Sequence, residues 1–245
     1  MAKLTGIFFD LDDTLYSCTE FAQKARRNAV RAMVAAGLSY PEEQLYRELE
    51  AVIDEFTSNY EKHFDNLLLR LPRESFREPN SALIVAAGVT AYHNTKAREM
   101  YPYEDALEFL ARARKTKLIR GIITAGITIK QAEKIVRLGI LPFLTPGSVF
   151  ITEQVGMTKR NNRLFLTACE RFGLDPTCTM YVGDNPAVDV DVPSEIGMIT
   201  VLHRRSGKYS NVPATTQPRY VIDNYYDLME ILARDFSVPI LQEER

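Results

Sequence analysis

A chain of 245 residues, 46% hydrophobic and 25% charged, can bury a sizeable core, and its formal net charge of −2 supplies no basic surface for nucleic acid. No apolar run approaches the roughly 20 residues that span a bilayer, and Met1-Ala2-Lys3-Leu4 passes straight into a strand pattern, which predicts no leader peptide and no membrane partner. Cys18, Cys169 and Cys178 have no metal-ligand spacing and read as reduced thiols of a cytoplasmic protein.

Leu4 to Leu11 is apolar almost without alternation, as in a strand buried on both faces of a parallel sheet. The run ends in Asp10-Leu11-Asp12-Asp13-Thr14. Three carboxylates at the mouth of a core repel one another, so a cation or a proton is needed to share the charge. Asp10, Asp12 and Thr14 occupy positions one, three and five of a calcium loop, but Leu15 stands where such a loop needs Gly and Phe21 where it needs Glu.

From Glu20 the period becomes helical, with Phe21, Ala25, Ala29, Ala32, Met33 and Ala36 on one face and Gly37 as the stop. Ser39, Pro41 and Glu42 read as a second helix start, continued by Leu45, Leu49, Val52, Ile53, Phe56 and Tyr60. Leu67 to Leu71 and Ala82 to Tyr92 give two more helices, with Pro72 and Pro79 between them. After Tyr101-Pro102 the pattern alternates. Helices are predicted at Asp105 to Arg114, Ile129 to Leu138, Leu164 to Phe172 and Tyr225 to Phe236. Strands are predicted at Leu118 to Thr124, Val149 to Thr152, Thr179 to Gly183, Ile199 to Leu202 and Tyr220 to Ile222, and Arg204 to Pro218 reads as an exposed loop. The architecture that follows is an α/β, doubly wound parallel sheet from residues 1–16 and 99–245, with a separate helical domain inserted at 17–98. Ligands of such sheets bind beyond the carboxyl ends of the strands, where strand order reverses.

Three later elements deliver polar groups to that edge. One strand ends in Thr124-Ala125-Gly126, a hydroxyl followed by a turn of free backbone N–H groups. Gly156-Met157-Thr158-Lys159 sets a lysine before a helix, and Asp184 and Asp189 follow the strand ending at Gly183. Carboxylates suit a hard divalent cation, while Lys and Thr suit phosphate oxygens.

In these four stretches the chain resembles the haloacid dehalogenase superfamily, in its phosphatase branch. Asp10-Leu11-Asp12-Asp13-Thr14 matches the first motif, D-x-D-x-T; Thr124 matches the second, Lys159 the third, and Gly183-Asp184 with Asp189 the fourth. The helical insertion lies between the first and second motifs, as in members with a helical cap there. Three positions depart from the family's habit: Ala125 where Asn is frequent, Arg160 where Pro is, and Asp191-Val192-Pro193-Ser194 where a Gly-Ala pair is usual. None of these removes a reacting group.

The resemblance implies a Mg²⁺-dependent phosphomonoesterase working through a phosphoaspartyl intermediate. Asp10 is then the nucleophile and Asp12 the general acid and base, whose neighbours are expected to raise its pKa. Asp10, the backbone carbonyl of Asp12 and Asp184 would hold Mg²⁺. Thr124, Ala125 and Lys159 would bind the phosphate, Asp189 would carry waters or orient Lys159, Thr14 would fix the loop, and Asp13 would be structural or electrostatic. The implied substrate is a small phosphorylated metabolite, with triose phosphates such as glyceraldehyde 3-phosphate among those of similar capped phosphatases, and the expected form is a monomer or homodimer. A phosphomutase shares every core residue. A dehalogenase needs neither Asp12 nor a metal, and a non-catalytic phosphate-binding module would be expected to have lost Asp10 or Asp12.

Overall fold

Gly6–Phe9 forms β1, every residue of it buried. Phe8 and Phe9 point to opposite faces, and each finds an aromatic partner, which is why the run is apolar without alternation. Phe8 meets Phe150 edge-on at 6.1 Å, while Phe9 meets Phe109 at 5.7 Å and Tyr225 at 6.2 Å. The computed structural model describes residues 3–78, 80–205, 207, 209 and 211–241. Pro79 and, within the predicted loop, Ser206, Lys208 and Ser210 lie outside the described residues.

The chain divides into two compact units, one comprising Met1–Thr19 with Tyr101–Arg245 and the other Glu20–Met100. In the first, β1 is joined by β2 (Ile119–Thr124), β3 (Val149–Ile151), β4 (Thr179–Gly183), β5 (Ile199–His203) and β6 (Tyr220–Ile222) in the order β3-β2-β1-β4-β5-β6. All five pairings are parallel. Strands step outward in one direction from β1 to β3 and in the other from β4 to β6, so the reversal falls between β1 and β4. Phe9 is level with both Ile122 and Val182, and the Asp10 N–H donates to the Val182 carbonyl at 2.8 Å. The residues that follow β1 and β4 therefore emerge side by side.

The second unit is helical: most of α1 (Cys18–Ala35), then α2 (Glu42–Phe56), α3 (His63–Leu69) and α4 (Ser81–Glu99). They pack around Met33, Leu38, Leu45, Leu49, Val52, Leu67 and Ile84. Among the described residues this stretch has no strand, only an isolated Leu38–Phe76 bridge. Two expectations shift here. The start of α2 is capped by no side chain, and Ser39 instead spends its N–H on the Ser75 carbonyl at 2.7 Å. And α4 runs on past Tyr92, because a polar contact replaces the apolar period: Asn28 donates to buried Thr95 at 2.9 Å, and Thr95 donates to the Ala91 carbonyl at 2.9 Å.

The first unit adds α5 (Glu104–Ala113), α6 (Thr128–Arg137), α7 (Thr152–Val155), α8 (Arg163–Arg171), α9 (Asp191–Glu195) and α10 (Tyr225–Phe236). The short α9 and the π-helical turn Pro186–Val190 before it are not visible as periodicity. All three cysteines are free, and no described helix is long and apolar enough to cross a membrane.

β5 closes on His203, fully buried against the rings of Tyr103 at 6.0 Å and Tyr225 at 5.4 Å. Neither ring nitrogen has a hydrogen-bond partner among the described residues. Burial pushes the imidazole down to about 4; the Asp13 backbone, Asp105 and Asp223 oppose the shift and Arg205 adds to it. An unfolded chain binds this proton near the ordinary histidine value, so between about pH 6.5 and 4 the unfolded state holds the extra proton. Stability contributed by neutral His203 is thus intact at pH 7 and falls by about 3 kcal/mol as pH drops through that window. Urea unfolding at pH 7 and pH 4 should show His203→Phe losing about 3 kcal/mol less than wild type on acidification; equal losses would mean another group carries the effect.

Candidate active site

The four motif stretches meet at the carboxyl edge of β1, β2 and β4. Lys159 lies at the centre, with its ammonium 2.7 Å from Asp10 Oδ1 and 2.8 Å from Asp189 Oδ1, and it is only 5% exposed. Asp184 joins this group: one carboxylate oxygen each from Asp10, Asp184 and Asp189 lie within 4.8 Å of one another, and all three residues are buried. Gly183 makes the approach possible. A Cβ there would sit 2.4 Å from the Asp189 carboxylate, so any larger residue would push Asp189 away from the strand end. The turn after β4 then closes with the Asn185 N–H donating to Asp189 Oδ2 at 3.0 Å.

One ammonium among three buried carboxylates leaves an excess of negative charge, and the acidities record it. Burial, with Asp189 and Asp12 adding to it, raises Asp10 to about 7 against the opposing pull of Lys159. Burial, then Asp10, Asp189 and Asp13, raises Asp184 to about 9. Lys159 is moved the other way: burial alone would lower it, but Asp10 and Asp189 hold it well above the ordinary lysine range. The three carboxylates are a compact, net-negative set of oxygen donors, which fits a small hard dication such as Mg²⁺.

Asp12 does not share this fate. Burial would raise it, but Lys134 holds it below the usual carboxylate value, aided by Tyr16 and Gln131. The Lys134 ammonium lies 2.8 and 2.7 Å from the two carboxylate oxygens; the Tyr16 hydroxyl donates to Oδ1, and the Gln131 amide lies 3.2 Å from Oδ2. The expectation that neighbours raise the Asp12 pKa is therefore corrected: a lysine invisible to the motif search reverses the sign. Cys18, beside this group, is driven by burial up to about 12 and is a neutral thiol.

Thr124 ends β2, 1% exposed, and its oxygen accepts from Gln131 Nε2 at 2.7 Å, which leaves its own O–H to donate. The same amide reaches the Ala125 carbonyl at 2.9 Å. The turn was expected to offer free N–H groups, but two of them are committed: Gly126 N–H donates to Thr152 Oγ1 at 3.0 Å and Thr128 N–H to Glu153 Oε2 at 2.6 Å. Thr14 is fully buried, yet its hydroxyl has no partner among the described residues; its carbonyl is what is held, by the Tyr225 hydroxyl at 3.1 Å. Asp13, at φ 54°, takes the N–H and hydroxyl of Thr19 at 2.9 and 2.7 Å and so anchors the start of α1. The sequence reading missed Tyr16, Gln131 and Lys134. The available signal was Gln131 interrupting an Ile127–Ile135 stripe at fourfold spacing, with Lys134 one turn further along.

A parallel sheet that reverses order beside a buried carboxylate–lysine cluster is a doubly wound α/β core with its candidate site at the switch point. The model of the haloacid dehalogenase-like hydrolase family matches residues 4–197. A glyceraldehyde 3-phosphate phosphatase of Methanopyrus kandleri is 40% identical over 240 residues, 95% of this chain and all of that one. Its namesake in Methanocaldococcus jannaschii is 37% identical over 229 residues, 94% of this chain and 97% of that one. Among solved structures, the HAD-hydrolase YfnB of Bacillus subtilis, which was crystallised with magnesium, superposes with a TM-score of 0.63 at 21% identity, over 94% of this chain and 99% of that one. The chain belongs to the haloacid dehalogenase-like hydrolase family.

Proposed function

We propose that the chain is a Mg²⁺-dependent phosphatase that hydrolyses a small phosphorylated metabolite through a phosphoaspartyl intermediate on Asp10. The observation that carries this reading is the buried cluster of Asp10, Lys159, Asp189 and Asp184, with Asp12 two residues beyond the nucleophile. Glyceraldehyde 3-phosphate is the first candidate substrate, because relatives at 40% and 37% identity over nearly the whole chain carry that name.

An Asp10 oxygen attacks phosphorus in line, and the bond from phosphorus to the alcohol oxygen breaks. Asp12 gives that oxygen a proton. Since Asp12 rests as a carboxylate, it must first take one up, and an arriving phosphate dianion favours this by adding negative charge nearby. In the second step water attacks phosphorus, Asp12 accepts its proton, and the Asp10–phosphorus bond breaks. Lys159 and the Thr124 hydroxyl hold phosphoryl oxygens and stabilise their growing charge. Asp10, Asp184 and the Asp12 carbonyl would hold Mg²⁺, with Asp189 beside them; when bound, the ion offsets repulsion between nucleophile and phosphate. The helical insertion would be the counterpart of the family's cap, which favours small substrates.

The test is a panel of phosphorylated metabolites with Mg²⁺, read as inorganic phosphate released. Glyceraldehyde 3-phosphate should rank first by kcat/KM, and EDTA should abolish turnover, with Mg²⁺ restoring it. Isomerised sugar phosphate without free phosphate would make it a mutase, and EDTA-resistant halide release from a 2-haloacid run beside the panel would make it a dehalogenase.

A further inference from the structure

Beyond the motif residues, one side chain holds the proposed acid–base group more firmly than any other. Asp12 lies past the last residue of β1 paired to a neighbouring strand, and its backbone pairs instead in an isolated bridge with Tyr16. Both of its carboxylate oxygens are engaged, and the Lys134 ammonium spans them at 2.8 and 2.7 Å. Gln131 is the weaker partner. Its amide nitrogen has two hydrogens and three acceptors in reach, and Asp12 at 3.2 Å is further than Thr124 Oγ1 at 2.7 Å or the Ala125 carbonyl at 2.9 Å. Lys134 and Gln131 sit three positions apart on α6, the helix that follows the Thr124 turn directly. One rigid helix thereby ties the direction of the Asp12 carboxylate to the position of the Thr124 hydroxyl. Gly126, at φ +148°, permits it: a Cβ there would lie 3.0 Å from the Gln131 side chain.

We propose that Lys134 is a positioning residue, which aims the Asp12 carboxylate at the leaving oxygen and keeps it in register with the Thr124 end of the phosphate site through Gln131. The proposal rests on the phosphatase reading above. With Lys134 removed, each oxygen keeps a single contact, Oδ1 with the Tyr16 hydroxyl and Oδ2 with the Gln131 amide at 3.2 Å, and the one cation that spans both oxygens is gone. Misplaced proton transfer should then slow a substrate whose leaving group needs a proton and spare one whose leaving group departs as a stable anion.

Lys134→Met is compared with wild type on glycerol phosphate, whose alkoxide must be protonated, and on p-nitrophenyl phosphate, whose phenolate need not be. Values of kcat/KM cover steps only as far as release of the alcohol, so the shared hydrolysis of the phosphoenzyme does not enter. The expected result is a fall of about 10²-fold in the ratio of kcat/KM for the alkyl ester to that for the aryl ester. Lys134→Arg, which restores a two-pronged cation, should recover most of the ratio. In an Asp12→Asn background Lys134→Met should change the ratio no further. Lys134→Gln gives the same read-out should the Met variant fold poorly. An unchanged ratio, whether both esters slow equally or neither slows, overturns the positioning role. A wild-type enzyme that releases phosphate from neither these esters nor the metabolite panel overturns the phosphatase reading itself, and that result is seen before any variant is made.

Discussion

Asp10→Asn should lower turnover of any phosphate ester by at least about 10⁴-fold, because it removes the attacking oxygen charge while keeping the shape of the side chain. The same substitution should leave the fold as stable as wild type or more so. Asp10 is a buried carboxylate raised to about 7 by burial and by its acidic neighbours, so its ionised form is held against a gradient. An amide relieves that, and Lys159 keeps Asp189 as its partner at 2.8 Å. Loss of activity together with an equal or higher Tm is the signature of a group retained for chemistry at some expense of stability. Phosphate release and thermal melting at pH 7.5 measure both. Turnover within about tenfold of wild type would remove Asp10 from the nucleophile's role, and a collapsed Tm would make the residue chiefly structural.

The parts that could be read from the sequence are those written into a single segment. β1 was legible because Ile7, Phe8 and Phe9 face both sides of the sheet and leave no polar alternation, and its end was legible because three carboxylates follow at once. Each remaining strand carried its own apolar run, whereas the order of the sheet is seen only in the pairings of the folded chain. What stayed hidden depends on pairing across the chain. Asp12 and Lys134 are 122 positions apart, and the interrupted stripe at Gln131 marks a polar turn of α6 without saying that Lys134 meets a carboxylate. The acidity of Asp12 consequently came out with the wrong sign. Similarly, Thr95 extends α4 through a hydrogen bond from Asn28, 67 positions away, which no apolar period reports. The Thr124 turn looked open because Thr152 and Glu153, which take the Gly126 and Thr128 N–H groups, arrive from α7, after the next strand.

Lys159→Met should be the most destabilising change in the catalytic cluster, by about 3–5 kcal/mol near neutral pH, since it strips the ammonium from carboxylates that stay buried. The loss has a sign with pH. Asp10 and Asp184 already have folded-state values raised to about 7 and about 9, above those of an unfolded chain. Groups raised in this way favour the fold while protonated, and that contribution is lost as pH climbs through the folded values. Without Lys159 both should rise further, so the gap between wild type and variant should widen from pH 5 to pH 9. Two additions should narrow it. Mg²⁺ at a hundred times the variant's Kd should stabilise the variant by about 2.7 kcal/mol through binding to the folded state alone, and wild type, where Lys159 already offsets the charge, by less; Asp189→Asn in the same chain should remove one of the stranded charges. Urea unfolding across that pH range, with and without Mg²⁺, decides the matter. A gap that is constant with pH and indifferent to Mg²⁺ would mean that Lys159 contributes only packing against Tyr181, whose ring centre lies 5.5 Å from its ammonium. A gap that opens with pH and closes with the cation would mean that one lysine and one dication share the work of making three buried carboxylates tolerable, and would explain why the nucleophile can sit ionised in so dry a place.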